Sequence, residues 1–379
     1  MRIDPLRFAS RIENMLGWFA ASVLTATMVI YALRRDGSSA RARPAVVNPS
    51  PAQEPLDLQL ARAAERGRGR KAPTPVHIPW AGLKDILFRS GNEIINDRLM
   101  AVAGGVVFYS LLSLFPAIAA GVSTYAMVSN ASTIADHVSL ADGIVPSIAL
   151  DMFRDEIMRI AGKSDGKLTL GFAIGFVVAL WSANAGMKSM FEALNVIYDE
   201  QDKRGIIKLN LVSLFFTLCA IAAAMLAAGA VVVFPLVLAA LGLSPLDKPI
   251  IGLLRWPLMF VVLIIGLAVL YRYGPSRRRA KWRWITVGSV SAALAWLAAS
   301  ALYSWYLSNF ANYNATYGAL GAVAGLMMWM WIGTLVVLAG AELNAEIEHQ
   351  TAHDSTVGPA KPLGARGAVM ADTVGAAQS

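Results

Sequence analysis

The sequence predicts an all-α fold, a polytopic helical membrane protein with six core transmembrane helices plus an N-terminal anchor helix. Three observations carry this. The 379 residues are 56% hydrophobic and only 15% charged, with a mean hydropathy of +0.53, too little polar surface for a globule solvated by water. Apolar runs of about 20 residues or more recur along the chain, each able as a helix to cross roughly 30 Å of hydrocarbon. The lysines and arginines behind the formal charge of +8 lie almost wholly between those runs, where lipid head groups would hold them.

The first apolar run, Met15 to Leu33, has arginines on both flanks. It lacks the short core and small-residue cleavage site of a signal peptide, so residues 1–33 read as an N-out anchor segment. Residues 34–79 mix Pro44, Pro49, Pro51, Pro55, Pro73 and Pro75 with arginines and show little apolar periodicity. They read as a disordered basic linker touching anionic lipid. From Trp80 through Leu83, Ile86, Leu87, Ile94, Ile95 and Leu99 the apolar residues return at helical spacing, which predicts an amphipathic helix at the inner membrane face.

The core spans fall at about 101–128, 168–187, 209–240, 251–272, 284–307 and 317–342, within one membrane domain of residues 80–348. The run beginning at Leu209 is too short as a helix for two spans and a turn. It reads as one long tilted helix, bent near Gly229 and Pro235. After the second span, Met187, Met190, Phe191, Leu194, Ile197 and Tyr198 form an apolar stripe opposite Lys188, Glu192, Asn195 and Asp199. That predicts a second interfacial helix. Residues 349–379, without periodicity, read as a disordered cytoplasmic tail.

Orientation rests on the loops. Residues 273–283 carry Arg277, Arg278, Arg279, Lys281 and Arg283, whereas 308–316 carry no charge, so the first is cytoplasmic and the second external. Alternation then places Lys188, Lys203, Arg204, Lys208 and the C-terminus inside and the 129–167 loop outside.

Charge and amide groups in apolar surroundings mark candidate sites, because lipid penalises them by about 2.5–3.5 kcal/mol for a charge at mid-depth. Glu342, Asn344 and Glu346 close the last span and Arg272 closes the fourth, on the same side. They read either as a cytoplasmic gate or as interfacial anchors, with the anchor preferred. Trp181 and Asn184 end the second span, and Glu192 follows on the polar side of the connector. Tyr109, Ser110, Ser113 and Pro116 lie deeper, where Pro116 frees a backbone carbonyl; a packed kink is preferred over a cavity wall. Gly171/Gly175 and Gly321/Gly325 permit close helix approach.

Metal-dependent hydrolysis needs several converging ligands around an open coordination position. The chain has four histidines and one cysteine. His77 falls in the linker and His137 outside, while His349 and His353 with Glu346 form at most a one-sided set. A solvated, fraying helix end is the preferred reading of that set. No catalytic residue, cofactor or metal site is expected, nor nucleic acid as a partner.

The order of several landmarks resembles the YihY/BrkB-like integral inner-membrane proteins of bacteria, historically mislabelled ribonuclease BN. They are Ala103 to Pro116 with Phe108 and Tyr109; Trp181 to Asn184 followed by Met190 to Tyr198; Tyr271 to Pro275; Tyr317, Gly318 and Trp329; and Gly340 to Glu346. The resemblance covers roughly residues 80–348, so the segment before it is additional. It implies a multi-pass bacterial inner-membrane protein and argues against the nuclease reading. Membrane lipids are the expected partners, together with a transported solute or envelope lipid, and a homo-oligomer is compatible with the pattern. The alternative is a membrane scaffold or envelope-assembly factor that recruits partners through its basic linker.

Overall fold

A computed structural model describes residues 54–126, 168–240, 247–310 and 319–378. The 15–33 anchor, the 129–167 loop and most of the 308–316 connection lie outside the described residues. The described chain is helical apart from turns and one isolated β-bridge, Ala280 to Thr356. Numbered in chain order, the helices are α1 (Leu56–Ala64), α2 (Trp80–Asn96), α3 (Leu99–Ala126), α4 (Leu168–Ile197), α5 (Ile206–Ala240), α6 (Asp247–Tyr273), α7 (Trp282–Phe310), α8 (Ala319–His349) and the short α9 (Val369–Asp372).

All six apolar runs fall on long helices, of 28, 30, 35, 27, 29 and 31 residues. Among the described residues, Ile206–Ala223, Trp282–Asn309 and Val323–His349 are long and apolar enough to cross a membrane. A fourth such unit is α2 joined to the first half of α3 across a 60° bend. Arg98, at φ 52, makes that corner, a left-handed backbone that non-glycine residues adopt sparingly. Helix α5 runs unbroken through Gly229 and Pro235.

Helix α2 shows why its corner exists. Its buried face holds Asp85, Arg89 and Ser90 beside Ile86, while Trp80, Leu87, Phe88 and Ile95 face outward. An element that turns apolar side chains out and charges in is solvated by lipid on its outer side and by partner groups on its inner one.

Helix α8 is the centre of the bundle, packing against α2, α3, α4, α7 and α9. The shared core is built from Ala103 and Val106 of α3, Leu194 and Ile197 of α4, Leu267 and Tyr271 of α6, Ile285 and Ala293 of α7, and Leu338, Ala341 and Ala345 of α8. Many of these are alanines, which let backbones approach closely where lipid supplies no hydrophobic drive between helices. The closest approach is between α7 and α8, where a side chain on Gly288 would collide with the Gly340 carbonyl. Asn344 Oδ1 accepts the Gly288 amide at 2.8 Å in the same contact. Tyr271 donates its hydroxyl to the Val337 carbonyl at 2.7 Å, fixing α6 to α8.

Three expectations are corrected. The Met187–Tyr198 stripe is no separate interfacial helix: it continues α4, and Phe191, Leu194, Ile197 and Tyr198 are fully buried in protein. The linker is not disordered over its described part, residues 54–79, which holds α1 and a 3-10 turn at Pro75–His77. The 349–379 tail is likewise folded where described. The two segments tie to each other and to the helix ends by polar bonds. Ala352 N–H donates to the Arg70 carbonyl at 2.7 Å, Arg62 to the Val374 carbonyl at 3.0 Å, and Lys281 N–H to the Ser355 carbonyl at 2.8 Å. Such a collar satisfies its backbone without an apolar face, so no periodicity betrays it.

Candidate functional site

The polar residues that end α8 are buried, contrary to the preferred reading of solvated anchors. Glu342 and Asn344 have no exposure and Glu346 only 2%. Glu346 lies one turn beyond Glu342, and its carboxylate accepts from the Arg89 guanidinium of α2. Arg89 also donates to Gln350 Oε1 at 2.7 Å and to the Ala376 carbonyl at 2.9 Å. On the other side of Glu346, His349 Nδ1 stands 3.5 Å from Oε1. The helix end therefore does not fray; it is clamped between α2 and the tail.

Two further ion pairs surround this one. Asp85 receives Arg68 on both oxygens at 2.7 and 2.8 Å. Arg277, from the basic loop, makes a two-pronged bond to Glu348 at 2.6 and 3.0 Å, with both side chains fully buried and the guanidinium 4.0 Å from the Tyr198 ring centre. Burying charges is costly unless they are paired and hydrogen-bonded, as most of these oxygens and nitrogens are.

Glu342 breaks that rule. Neither of its carboxylate oxygens meets a hydrogen-bond partner among the described residues. Asn184 Oδ1 of α4 and Asn344 Nδ2 of α8 are buried without a partner in the same way. Glu93, Asp97 and Glu346 stand near enough for their charges to act on Glu342. At the α2–α3 corner, in the turn that precedes α3, burial and then the charges of Glu93, Asp199 and Glu346 push the Asp97 carboxyl up to about 7. Polar groups left unpaired in a protein interior cost roughly 1–3 kcal/mol each, so each calls for a partner, solvent or a role.

The other expected site residues separate. Tyr109, 43% exposed, and Trp181, 69% exposed, lie on the outer surface; Lys188 Nζ is 5.4 Å from the Trp181 ring centre. Glu192 is exposed. Pro116 lies in an unbroken stretch of α3, outside the residues whose side chains are described. Arg272 pairs with none of the α8 carboxylates. Its guanidinium stacks on Trp282 at 4.2 Å, and its Nε and Nη1 have no acceptor among the described residues.

Arg272 belongs to a cleft of about 510 Å³ between the α4–α5 and α6–α7 connections. Basic residues of 203–208 and 272–279 line one part, and Val212, Phe215, Phe216 and Val269 line the other. The two connections are stitched together by Asn195, whose Oδ1 accepts the Ser276 amide at 2.8 Å, and by Ser276 Oγ, which accepts the Lys203 amide at 3.0 Å.

Sequence reasoning missed Asp85, Arg89, Arg277 and Glu348. Asp85 and Arg89, four residues apart on the polar face of an amphipathic helix, look like an ordinary solvated pair. The signal was that the helix's opposite face is too apolar to be its buried one alone. Among the described residues no group of three His, Cys, Asp or Glu side chains is placed to hold a metal ion.

The family profile described as Virulence factor BrkB matches residues 92–363. The putative ribonuclease-like protein YfkH of Bacillus subtilis is 30% identical over 245 residues, covering 63% of this chain and 86% of that protein. A UPF0761 membrane protein of Paraburkholderia xenovorans is 26% identical over 65% of this chain and 56% of its own length. Another, from Pseudoalteromonas translucida, is 25% identical over 70% and 86%. No solved structure matches. The match over residues 92–363 spans α3 to α8, including the buried end of α8 and the basic loop, and the chain belongs to the BrkB family of membrane proteins.

Proposed function

We propose that the protein is a multi-pass transporter of the bacterial inner membrane, moving an envelope lipid or another amphipathic solute, with α3 to α8 as six spans and the C-terminus cytoplasmic. The single observation that carries this is Glu342, a fully buried carboxylate in the central helix with no bonding partner among the described residues. An ionisable group retained within a membrane helix faces a water path, a solute or a mobile proton by default. Asn184 of α4 and Asn344 of α8 are likewise buried with one polar atom unpaired among the described residues. A purely structural interior would favour pairing such groups or replacing them with apolar ones.

The scaffold alternative needs free basic residues in 34–79. In the described part, Arg62 pairs with Glu54, Arg68 with Asp85 and Arg70 with Glu65. Those arginines hold the collar together, which leaves less to recruit a partner.

The test is purified protein in liposomes carrying NBD-labelled phosphatidylglycerol or phosphatidylethanolamine, with dithionite quenching as the readout of leaflet exchange. Exchange above protein-free vesicles is expected, slowed about tenfold in Glu342→Gln if roughly 1.4 kcal/mol of barrier lowering is lost. Vesicles that exchange neither probe, or a Glu342→Gln protein as active as the parent, would reject lipid movement through this interior.

A further inference from the structure

We infer that the cleft between the α4–α5 and α6–α7 connections binds the phosphate-bearing head group of an anionic membrane lipid, with an acyl chain lying along α5. The inference is separate from transport, since a lipid held here without being moved satisfies it.

Charge is the first argument. Of the basic residues that line the cleft, Arg204 is neutralised by Asp202, Arg277 by Glu348 and Lys203 by Glu200. Lys208, Arg272, Arg278 and Arg279 have no carboxylate partner among the described residues. Positively charged loops orient a membrane protein wherever they lie, but orientation does not require four uncompensated cations around one concavity.

The donors are also set in place. Arg272 is stacked 4.2 Å from the Trp282 ring centre and Arg279 4.7 Å from that of Tyr273. Stacking fixes a guanidinium plane and leaves its N–H edge for an acceptor. Arg272 Nε and Nη1 and Arg278 Nη1 are buried donors with no acceptor among the described residues. The Arg278 backbone is held by the Gly367 carbonyl at 3.0 Å, so the folded tail supports this wall. A phosphate monoester or diester, with several acceptor oxygens, suits such a fork of donors.

The apolar half distinguishes a lipid from a free anion. Val212, Phe215, Phe216 and Val269 continue the basic wall along α5 and α6, and Phe215 is 63% exposed. A water-soluble phosphate gains nothing from that surface. Basic pockets between helix ends next to an apolar path are how membrane proteins hold anionic lipid head groups.

Native mass spectrometry of the full-length protein, exchanged into detergent with equal phosphatidylglycerol and phosphatidylcholine, reads the site directly. Phosphatidylglycerol adducts should predominate. Arg272→Gln with Arg278→Gln should weaken them roughly 25-fold, from about fivefold per basic group, and the exposed Lys208→Gln about fivefold. Lys361→Gln, which changes net charge equally at a residue that does not line the cleft, should leave them unchanged. Millimolar inorganic phosphate should not displace the lipid. Equal retention of the two lipids, a Lys208→Gln protein that binds like the parent, or displacement by inorganic phosphate as a free-anion site, would each overturn the assignment. Because the readout is adduct formation, its failure is distinct from a failure of leaflet exchange.

Discussion

At the scale of single residues, legibility depended on whether a charge interrupts its surroundings. Glu342 stood out because an apolar run leads into it, and the structure buries it. Arg89 did not, because a basic residue on a mixed helix is ordinary until a second segment covers it. The same covering acts on Asp97 at the α2–α3 corner, whose carboxyl is pushed up to about 7 by burial and then by Glu93, Asp199 and Glu346. In the unfolded chain it titrates near the ordinary aspartate value of about 4. The protonated form is thus favoured by folding, so its contribution to stability is complete below about pH 4 and is lost as pH rises through about 7. Thermal unfolding in detergent should show the parent protein losing stability between about pH 4 and about pH 7 more steeply than Asp97→Asn. Parallel curves would show that the corner does not perturb this group.

At the scale of elements, hydropathy located the six long helices because each needs about 20 apolar residues whatever its neighbours are. It misjudged the segments between them. The 54–79 and 349–378 segments fold by exchanging backbone and charged hydrogen bonds, a mode that leaves no period in the sequence. Gln350 shows the dependence: its side chain accepts from Arg89 and donates to the Arg68 carbonyl at 2.8 Å, and Thr351 donates to the Ala72 carbonyl at 3.0 Å. Truncation after His349 removes all of these at once. Hydrogen exchange should then accelerate at the Ala72 amide and its neighbours by about tenfold or more, as expected when bonds worth roughly 1–2 kcal/mol are lost. Exchange across the lipid-facing half of α7 should stay unchanged. Unaltered protection at 68–72 would mean that the collar holds without the tail.

At the scale of the whole molecule, the ion pairs, the collar and the basic cleft all gather at one end of the bundle, the end bearing Arg277, Arg278 and Arg279. Under the proposed orientation this end would be the cytoplasmic one, where positive charge is retained, and that orientation is testable independently of any activity. In a Cys219→Ser background, single cysteines at Arg279 and Asn314 sample the two connections that flank α7. A membrane-impermeant maleimide applied to intact spheroplasts should label the Asn314→Cys protein and spare Arg279→Cys until the membrane is opened. Helix α7, with 29 residues, rises roughly 43 Å, enough to keep its ends on opposite sides of a bilayer core. Labelling of both positions from outside, or of neither, would put the two ends in one compartment and overturn the proposed six-span arrangement.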